Sequence, residues 1–272
     1  MKVELEAAMD LARRAGEILL KYYAEEPSVE WKGKNDPVTT ADRAASRLLT
    51  DELRLRFPDD AILSEEEKDD LKRLTIPRVW IIDPMDGTKE FIARRGEFAV
   101  MIGLAVGGAA RLGVVYQPSH DKLYYGAAGE GAFVAQSGQT RRLSVSNVDN
   151  PAEATMALSR SHLSGTTNAI RLKLGIEKTV QTGSLGVKVG LICEGQSDVY
   201  VQGRGTSLWD TCGPEAILHE AGGRMTDWMG NAFRYDVVEV RNLNGVVATN
   251  RVLHENVLQA VDAVTRETNR GV

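Results

Sequence analysis

Apolar residues recur at three- and four-residue steps near the start of the chain, which is the pattern of an amphipathic helix. Residues 4–24 follow it, so we expect one helix there, whose role is packing. A second helix is expected after a polar connection. It would carry Ala45 and Leu49 on its apolar side and begin at Thr39 or Thr40, either of which suits an N-cap.

Shorter apolar runs predict strands through the middle of the chain. The run 79–82 indicates a buried strand, and we expect it to end in a turn at Asp83 and Pro84, because proline cannot continue a ladder. Further strands are expected at 61–63, 99–106, 112–116, 122–126, 131–134 and 155–158.

Two later helices are expected in the second half of the chain. One opens at the turn 182–188 and runs through residue 192, and the other covers about 211 to 221 before two glycines. The second would have Asp210 as its N-cap and Pro214 in its first turn. The loop at 147–151 is the best boundary between two lobes, an N-terminal α+β lobe at 1–150 and a C-terminal α/β lobe at 151–272.

Composition narrows the class of protein without identifying it. The chain of 272 residues is 43% apolar and 26% charged, and its longest apolar runs fall short of the roughly 20 residues that span a bilayer. A formal net charge of −5 argues against a nucleic-acid surface. The acidic N-terminus does not resemble a signal peptide, and Cys193 and Cys212 have no metal-site spacing, so a reducing cytoplasm is expected.

The first candidate chemistry lies directly after the strand at 79–82. Asp83 and Asp86 flank a proline turn, and two carboxylates brought close together need a cation such as Mg²⁺, which takes oxygen ligands. Gly87 lets the backbone approach a ligand, and a helix opening at Thr88 would direct free N–H groups at an anion. The plainer alternative is two consecutive turns without chemistry.

The sequence 83–88, Asp-Pro-Met-Asp-Gly-Thr, resembles the central motif of the inositol-monophosphatase-like family of Mg²⁺-dependent phosphatases. Lys89, Glu90 and Phe91 follow it and resemble the 3′(2′),5′-bisphosphate nucleotidase branch, whereas inositol monophosphatases more often have Thr-Asn-Phe. A Trp-Asp pair at 209–210, before a helix ending in Ala-Gly-Gly, resembles the second signature. The resemblance implies an α/β (α+β) fold, the layered αβαβα sandwich of the inositol monophosphatase and fructose-1,6-bisphosphatase type.

The resemblance also implies a set of metal ligands and a proton acceptor. Two or three Mg²⁺ ions would be held by Glu65, Asp83, Asp86, Asp210 and the main-chain oxygen of Met85. Glu66 is the alternative to Glu65 in the acidic segment. Asp42, in a segment that matches the family, would pair with Thr88 and accept the proton of the attacking water.

Substrate contacts are expected on both lobes. Small residues at the strand-to-helix turn before Lys188 suit an anion, and a Ser-Arg-Ser-His string at 159–162 resembles the nucleotidase branch. The expected contacts are Gly87, Thr88, Lys89, Arg160, His162, Ser184, Lys188 and Asp210.

The expected activity is removal of the 3′-phosphate of adenosine 3′,5′-bisphosphate, which leaves AMP. A phosphatase of inositol phosphates or sugar bisphosphates is the alternative enzyme, and a non-catalytic phosphate-binding protein is the alternative of another class. The expected partner is a small phosphorylated molecule, with neither a nucleic-acid polymer nor a membrane. The resemblance further suggests a homodimer and inhibition by Li⁺.

Overall fold

The computed structural model describes residues 1–25, 29–33, 36–161, 164–203 and 205–270. Its helices are α1 (Lys2–Ala24), α2 (Thr40–Arg56), α3 (Thr88–Ile92), α4 (Gly165–Lys173), α5 (Leu185–Cys193), α6 (Leu208–Glu220) and α7 (His254–Arg270). The first nine strands are β1 (Val29–Gly33), β2 (Asp36–Thr39), β3 (Ala61–Ser64), β4 (Arg78–Asp86), β5 (Ala99–Val106), β6 (Ala109–Gln117), β7 (Lys122–Ala127), β8 (Gly131–Gln136) and β9 (Gln139–Arg142). The remaining strands are β10 (Thr155–Ser159), β11 (Lys178–Thr182), β12 (Val199–Gln202), β13 (Arg224–Thr226) and β14 (Val246–Thr249).

Two sheets carry the fold. The larger has seven strands in the order β3 to β9, with β3 and β4 parallel and the other neighbours antiparallel. The smaller has five strands in the order β11-β10-β12-β14-β13. Its β10 is parallel to β11 and β12, while β14 is antiparallel to its two neighbours. A separate antiparallel pair, β1 and β2, precedes α2.

The helices and sheets stack in five layers. Helices α1 and α2 cover one face of the larger sheet through a core that includes Leu11, Leu49 and Trp80. Helices α5 and α6 lie between the sheets. Helices α4 and α7 cover the outer face of the smaller sheet, with Ile170 and Val261 in the core beneath them. This order confirms the αβαβα sandwich that the resemblance implied.

Strand β4 does not end where the sequence analysis expected. It continues through Pro84 to Asp86, and its pairing with β5 shifts between Asp83 and Asp86. Residues three apart on a regular strand point to opposite faces, but one inserted residue restores them to the same side. The bulge, and not a strand-ending turn, therefore brings Asp86 round to Asp83.

Helix α6 begins about one turn earlier than expected. Its N-cap is Ser207, so Asp210 is the third helical residue and not the N-cap, and Pro214 lies in the helix interior instead of the first turn. The earlier start follows from packing, because Leu208 is buried in a core with Tyr235. The interior proline has no N–H to bond the carbonyl of Asp210 four residues earlier.

Close contact between α6 and the larger sheet depends on glycine. A Cβ on Gly113 of β6 would lie 1.9 Å from the carbonyl oxygen of Gly213 in α6. We expect Gly113→Ala to lower the free energy of unfolding by about 3 kcal/mol, since backbone must move to relieve the overlap. Gly165→Ala is the matched control, because among the described residues no atom beyond its chain neighbours and its own helix backbone lies within 4 Å of its Cβ position. Urea unfolding measures both, and equal stabilities would contradict the packing account.

The C-terminal elements are not predicted by the sequence analysis, and one further expectation is not tested. The sequence analysis predicts no element in residues 224–270, where the structure has β13, β14 and α7. The division into lobes at residue 150 stays a prediction. Cys193 and Cys212 are free and buried. None of the helices within the described ranges is both long and apolar enough to cross a membrane.

Candidate functional site

Three carboxylates, two from strand β4 and one from helix α6, converge. Asp83, Asp86 and Asp210 each offer an oxygen that lies within 4.8 Å of the other two, and Asp83 is buried. Main-chain N–H groups orient two of them: the N–H of Met85 donates to Asp83 Oδ1 at 2.9 Å, and that of Ser207 donates to Asp210 Oδ2 at 2.5 Å. The bulge in β4 and the first turn of α6 thus place their predicted ligands side by side.

Glu65 lies next to this group because β3 and β4 are parallel neighbours. Ser64 pairs with Ile82, and the Glu65 N–H donates to the Ile82 carbonyl at 3.1 Å, so the residues that follow both strands emerge at the same edge. The charge of Glu65 acts on both Asp83 and Asp210. This favours Glu65 over Glu66 as the acidic residue that faces the site.

The electrostatics of the cluster are unfavourable without a cation. Burial raises the pKa of Asp83 well above the usual range, and the negative charges of Glu65, Asp86 and Asp210 raise it further. Lost hydration, followed by the charges of Asp86 and Glu65, raises the pKa of Asp210 in the same way. Oxygen ligands held this close match what a hard divalent cation requires. The residues present therefore fit a metal site.

Thr88 and Asp42 meet beside the carboxylates, as the sequence analysis expected. The Thr88 hydroxyl is 3.4 Å from Asp42 Oδ1 and 3.2 Å from the Met85 carbonyl oxygen, with hydrogen-bonding geometry to both. A capping box fixes Asp42: its Oδ2 accepts from the N–H and the hydroxyl of Thr39, each at 2.7 Å. One oxygen of Asp42 is thus committed to its helix, and the other faces Thr88.

Helix α5 supports Asp86 from the other side of the site. The Ser184 hydroxyl donates to Asp86 Oδ2 at 2.6 Å, and the Gly186 N–H donates to the same oxygen at 3.0 Å. Ser184 is also the N-cap of α5, since its hydroxyl accepts from the Val187 N–H at 3.1 Å. The Ser184 hydroxyl thus orients a candidate ligand, and the expected contact of Ser184 with substrate stays a prediction. The role of Gly186 had no signal in the sequence.

Lys188 is buried one turn into α5. Its ammonium group donates to the Gly183 carbonyl and lies 5.3 Å from the centre of the Tyr200 ring. Burial lowers its pKa to about 8, against the opposing charge of Asp86. With 2% of its surface exposed, Lys188 provides positive charge beneath the carboxylates. Its direct contact with a substrate stays a prediction.

Arg160 and the chain around it join the two sheets. The guanidinium of Arg160 forms a two-bond contact with Glu97, and the Ser161 hydroxyl donates to Glu90, which follows the central motif. Glu97 had no signal in the sequence. His162, the other expected contact in this string, lies outside the described residues.

The glycine of the central motif has a conformation that favours this residue type. Gly87 has φ +97°, and a Cβ there would lie 2.7 Å from the Glu97 carbonyl oxygen. It caps α3, which has five residues. Phosphate contacts from the N–H groups of Gly87 and Thr88 and from the partly exposed Lys89 stay predictions.

Comparison with known proteins agrees with this geometry. Residues 1–266 match the model of the inositol monophosphatase family. The 3′(2′),5′-bisphosphate nucleotidase CysQ of Salmonella typhimurium is 38% identical over 234 residues, which are 85% of this chain and 93% of that protein. CysQ of Escherichia coli K12 is 36% identical over the same length.

Solved structures agree as well. The structure of CysQ from Bacteroides thetaiotaomicron superimposes with a TM-score of 0.79 at 30% identity, covering 92% of this chain and 98% of that one. An inositol monophosphatase from Thermotoga maritima gives a TM-score of 0.81 at 29% identity, covering 98% and 99%. Family, fold and acidic cluster are those of phosphatases that generally depend on metal ions. The chain therefore belongs to the inositol monophosphatase family and is a phosphatase.

Proposed function

We propose that the protein is a Mg²⁺-dependent phosphomonoesterase that removes the 3′-phosphate of adenosine 3′,5′-bisphosphate and leaves AMP. The observation that carries the metal-dependent chemistry is the group of Asp83, Asp86 and Asp210, whose oxygens lie within 4.8 Å of one another. The choice of substrate is supported by the similarity to CysQ nucleotidases, at 38% identity in the Salmonella protein.

The carboxylates of this chain would hold two or three Mg²⁺ ions. The proposed ligands are Glu65, Asp83, Asp86, Asp210 and the main-chain oxygen of Met85. Bound there, Mg²⁺ would acidify the attacking water and neutralise charge on the phosphate and the leaving oxygen. Burial, and after it the charge of the neighbouring carboxylates, raises the pKa of Asp83 and Asp210, and a bound cation would offset both effects. The uncompensated carboxylates of the metal-free site therefore favour cation binding.

Thr88 and Asp42 would handle the proton. In the proposed step the Thr88 hydroxyl accepts a proton from water and passes its own to Asp42 Oδ1, with which it already has a hydrogen-bonding contact. The water oxygen bonds to phosphorus, the ester bond to the ribose 3′-oxygen breaks, and that oxygen takes up a proton from a second water molecule, while Asp42 returns its proton to the solvent. The N–H groups of Gly87 and Thr88 would bind the phosphate oxygens, so no covalent enzyme intermediate is needed.

A second candidate function has its own support. The inositol monophosphatase of Thermotoga maritima covers 98% of this chain at 29% identity, and the carboxylate cluster does not itself select the alcohol. A phosphatase of inositol phosphates or sugar bisphosphates would use the same chemistry. Cytoplasmic location, inhibition by Li⁺ and a homodimer remain further predictions.

The test is phosphate release from adenosine 3′,5′-bisphosphate, inositol 1-phosphate and fructose 1,6-bisphosphate, with Mg²⁺ and with a chelator. We expect kcat/KM for the nucleotide to exceed the other two by at least about tenfold, equivalent to about 1.4 kcal/mol of transition-state binding, and to vanish with chelator. Comparable rates on all three would favour the broad phosphatase. No release from any would indicate a non-catalytic phosphate-binding protein.

A further inference from the structure

The ion pair between Arg160 and Glu97 joins the two sheets at the edge of the site. Arg160 follows β10 of the smaller sheet, and Glu97 precedes β5 of the larger one. Arg160 Nε donates to Glu97 Oε2 at 2.7 Å, and Nη2 donates to Oε1 at 2.6 Å. This parallel pair of bonds is the strongest geometry available to arginine and a carboxylate, and it fixes direction as well as distance.

The same two residues also hold the turn that precedes α5. The Arg160 N–H donates to the Thr182 carbonyl at 3.1 Å, and its Nη2 donates to the Gln181 carbonyl at 2.8 Å. The Glu97 carbonyl accepts from the Ser184 N–H at 3.2 Å. Residues 181–184 are therefore attached to Arg160 and Glu97 through two main-chain hydrogen bonds and one from the ion-paired guanidinium.

Close packing transmits the position of Glu97 to the site. A Cβ on Gly183 would lie 2.4 Å from the Glu97 carbonyl oxygen, and one on Gly87 would lie 2.7 Å from the same oxygen. The Glu97 carbonyl thus packs closely between Gly87, which follows Asp86, and Gly183, which precedes Ser184. Ser184 in turn donates to Asp86 Oδ2.

We propose that the Arg160–Glu97 ion pair is a positioning device that sets the orientation of Asp86, and hence the metal affinity of the site, through the turn at 181–184. The inference deepens the proposed function and rests on it. It assigns Arg160 a role distinct from the substrate contact that the sequence suggested, because its Nε and Nη2 already bond Glu97 and the turn.

The test measures Mg²⁺ binding without substrate by titration calorimetry, together with KM and kcat at saturating Mg²⁺. We expect Arg160→Ala and Glu97→Gln each to weaken Mg²⁺ binding by about tenfold, as is usual when a group that orients a ligand is lost. The double variant should bind no more weakly than the worse single variant, because both act through one contact. KM at saturating Mg²⁺ should stay unchanged.

Arg78→Ala is the matched control. Arg78 makes the same two-bond contact with Asp60, at 2.7 and 3.1 Å, and its side chain is 34% exposed against 32% for Arg160. Arg78 starts β4, at the end opposite Asp83. Its loss should lower stability without changing Mg²⁺ affinity. Glu97→Gln keeps the shape of the side chain, so it remains informative if Arg160→Ala does not fold.

Each outcome separates the proposals. Unchanged Mg²⁺ affinity in both site variants, with normal binding by the wild type, would overturn the positioning role. A raised KM at saturating Mg²⁺ with unchanged metal affinity would overturn it as well and make Arg160 a substrate contact. Absence of Mg²⁺ binding by the wild type would contradict the proposed function itself and this inference with it.

Discussion

Asp83→Asn is expected to reduce Mg²⁺-dependent phosphate release by at least about a hundredfold while leaving the fold intact. Loss of a residue that merely orients a metal ligand costs about 10- to 100-fold, and Asp83 is proposed as a ligand itself. The side chain is buried, with an oxygen within 4.8 Å of two other carboxylates. Asparagine replaces its negative charge with a neutral amide, so the metal site loses one anionic ligand. Steady-state kinetics and circular dichroism measure the two effects.

The same variant, although less active, should be more stable than the wild type when metal is removed. Folding raises the pKa of Asp83 above its ordinary value of 3.8, so its ionisation lowers the stability of the metal-free wild type as the pH rises past that value. The amide escapes this loss. At neutral pH in chelator we therefore expect Asp83→Asn to melt above the wild type, and added Mg²⁺ to raise the melting temperature of the wild type only. Near-normal turnover by the variant would remove Asp83 from the ligand set.

Thr88→Ala is expected to lower kcat by about 10²–10⁴-fold, the usual contribution of a positioned proton acceptor. The Thr88 hydroxyl stands between Asp42 and the Met85 carbonyl, 3.4 and 3.2 Å away, and alanine leaves water without that relay. Thr88→Ser keeps the hydroxyl and should retain most of the turnover, which makes it the matched control. Mg²⁺ affinity should be the same in both.

Equal losses in the alanine and serine variants would indicate that the threonine methyl group, or the local backbone, matters more than the hydroxyl. Asp42→Asn tests the other half of the proposed proton transfer, because the amide keeps the shape of the side chain but cannot take up the proton. Its capping role complicates the result, since Asp42 also accepts two hydrogen bonds from Thr39. Thermal unfolding of Asp42→Asn therefore has to accompany its kinetics.

Features that depend on residues a few positions apart are predictable from the sequence alone. The helix N-cap at Thr39 and the apolar strand that leads to Asp83 depend mainly on near neighbours. The spacing of Asp83 and Asp86 indicates a cation, and the structure groups them. The start of α6 is not predictable in this way, because Leu208 joins the helix by packing into a core with Tyr235, a residue distant in sequence.

Local sequence motifs therefore identify most of the candidate site residues, whereas the partner of each residue follows from contacts between residues that are distant in sequence. Thr88 reaches Asp42 across 46 positions, Ser184 reaches Asp86 across 98, and Arg160 reaches Glu97 across 63. Local periodicity carries no information about such pairs, because burial and close packing select them only when the elements that carry the two residues have packed together. The contacts of Ser184 and Arg160 with substrate stay predictions from the sequence, whereas their bonds to Asp86 and Glu97 are decided by the tertiary structure alone.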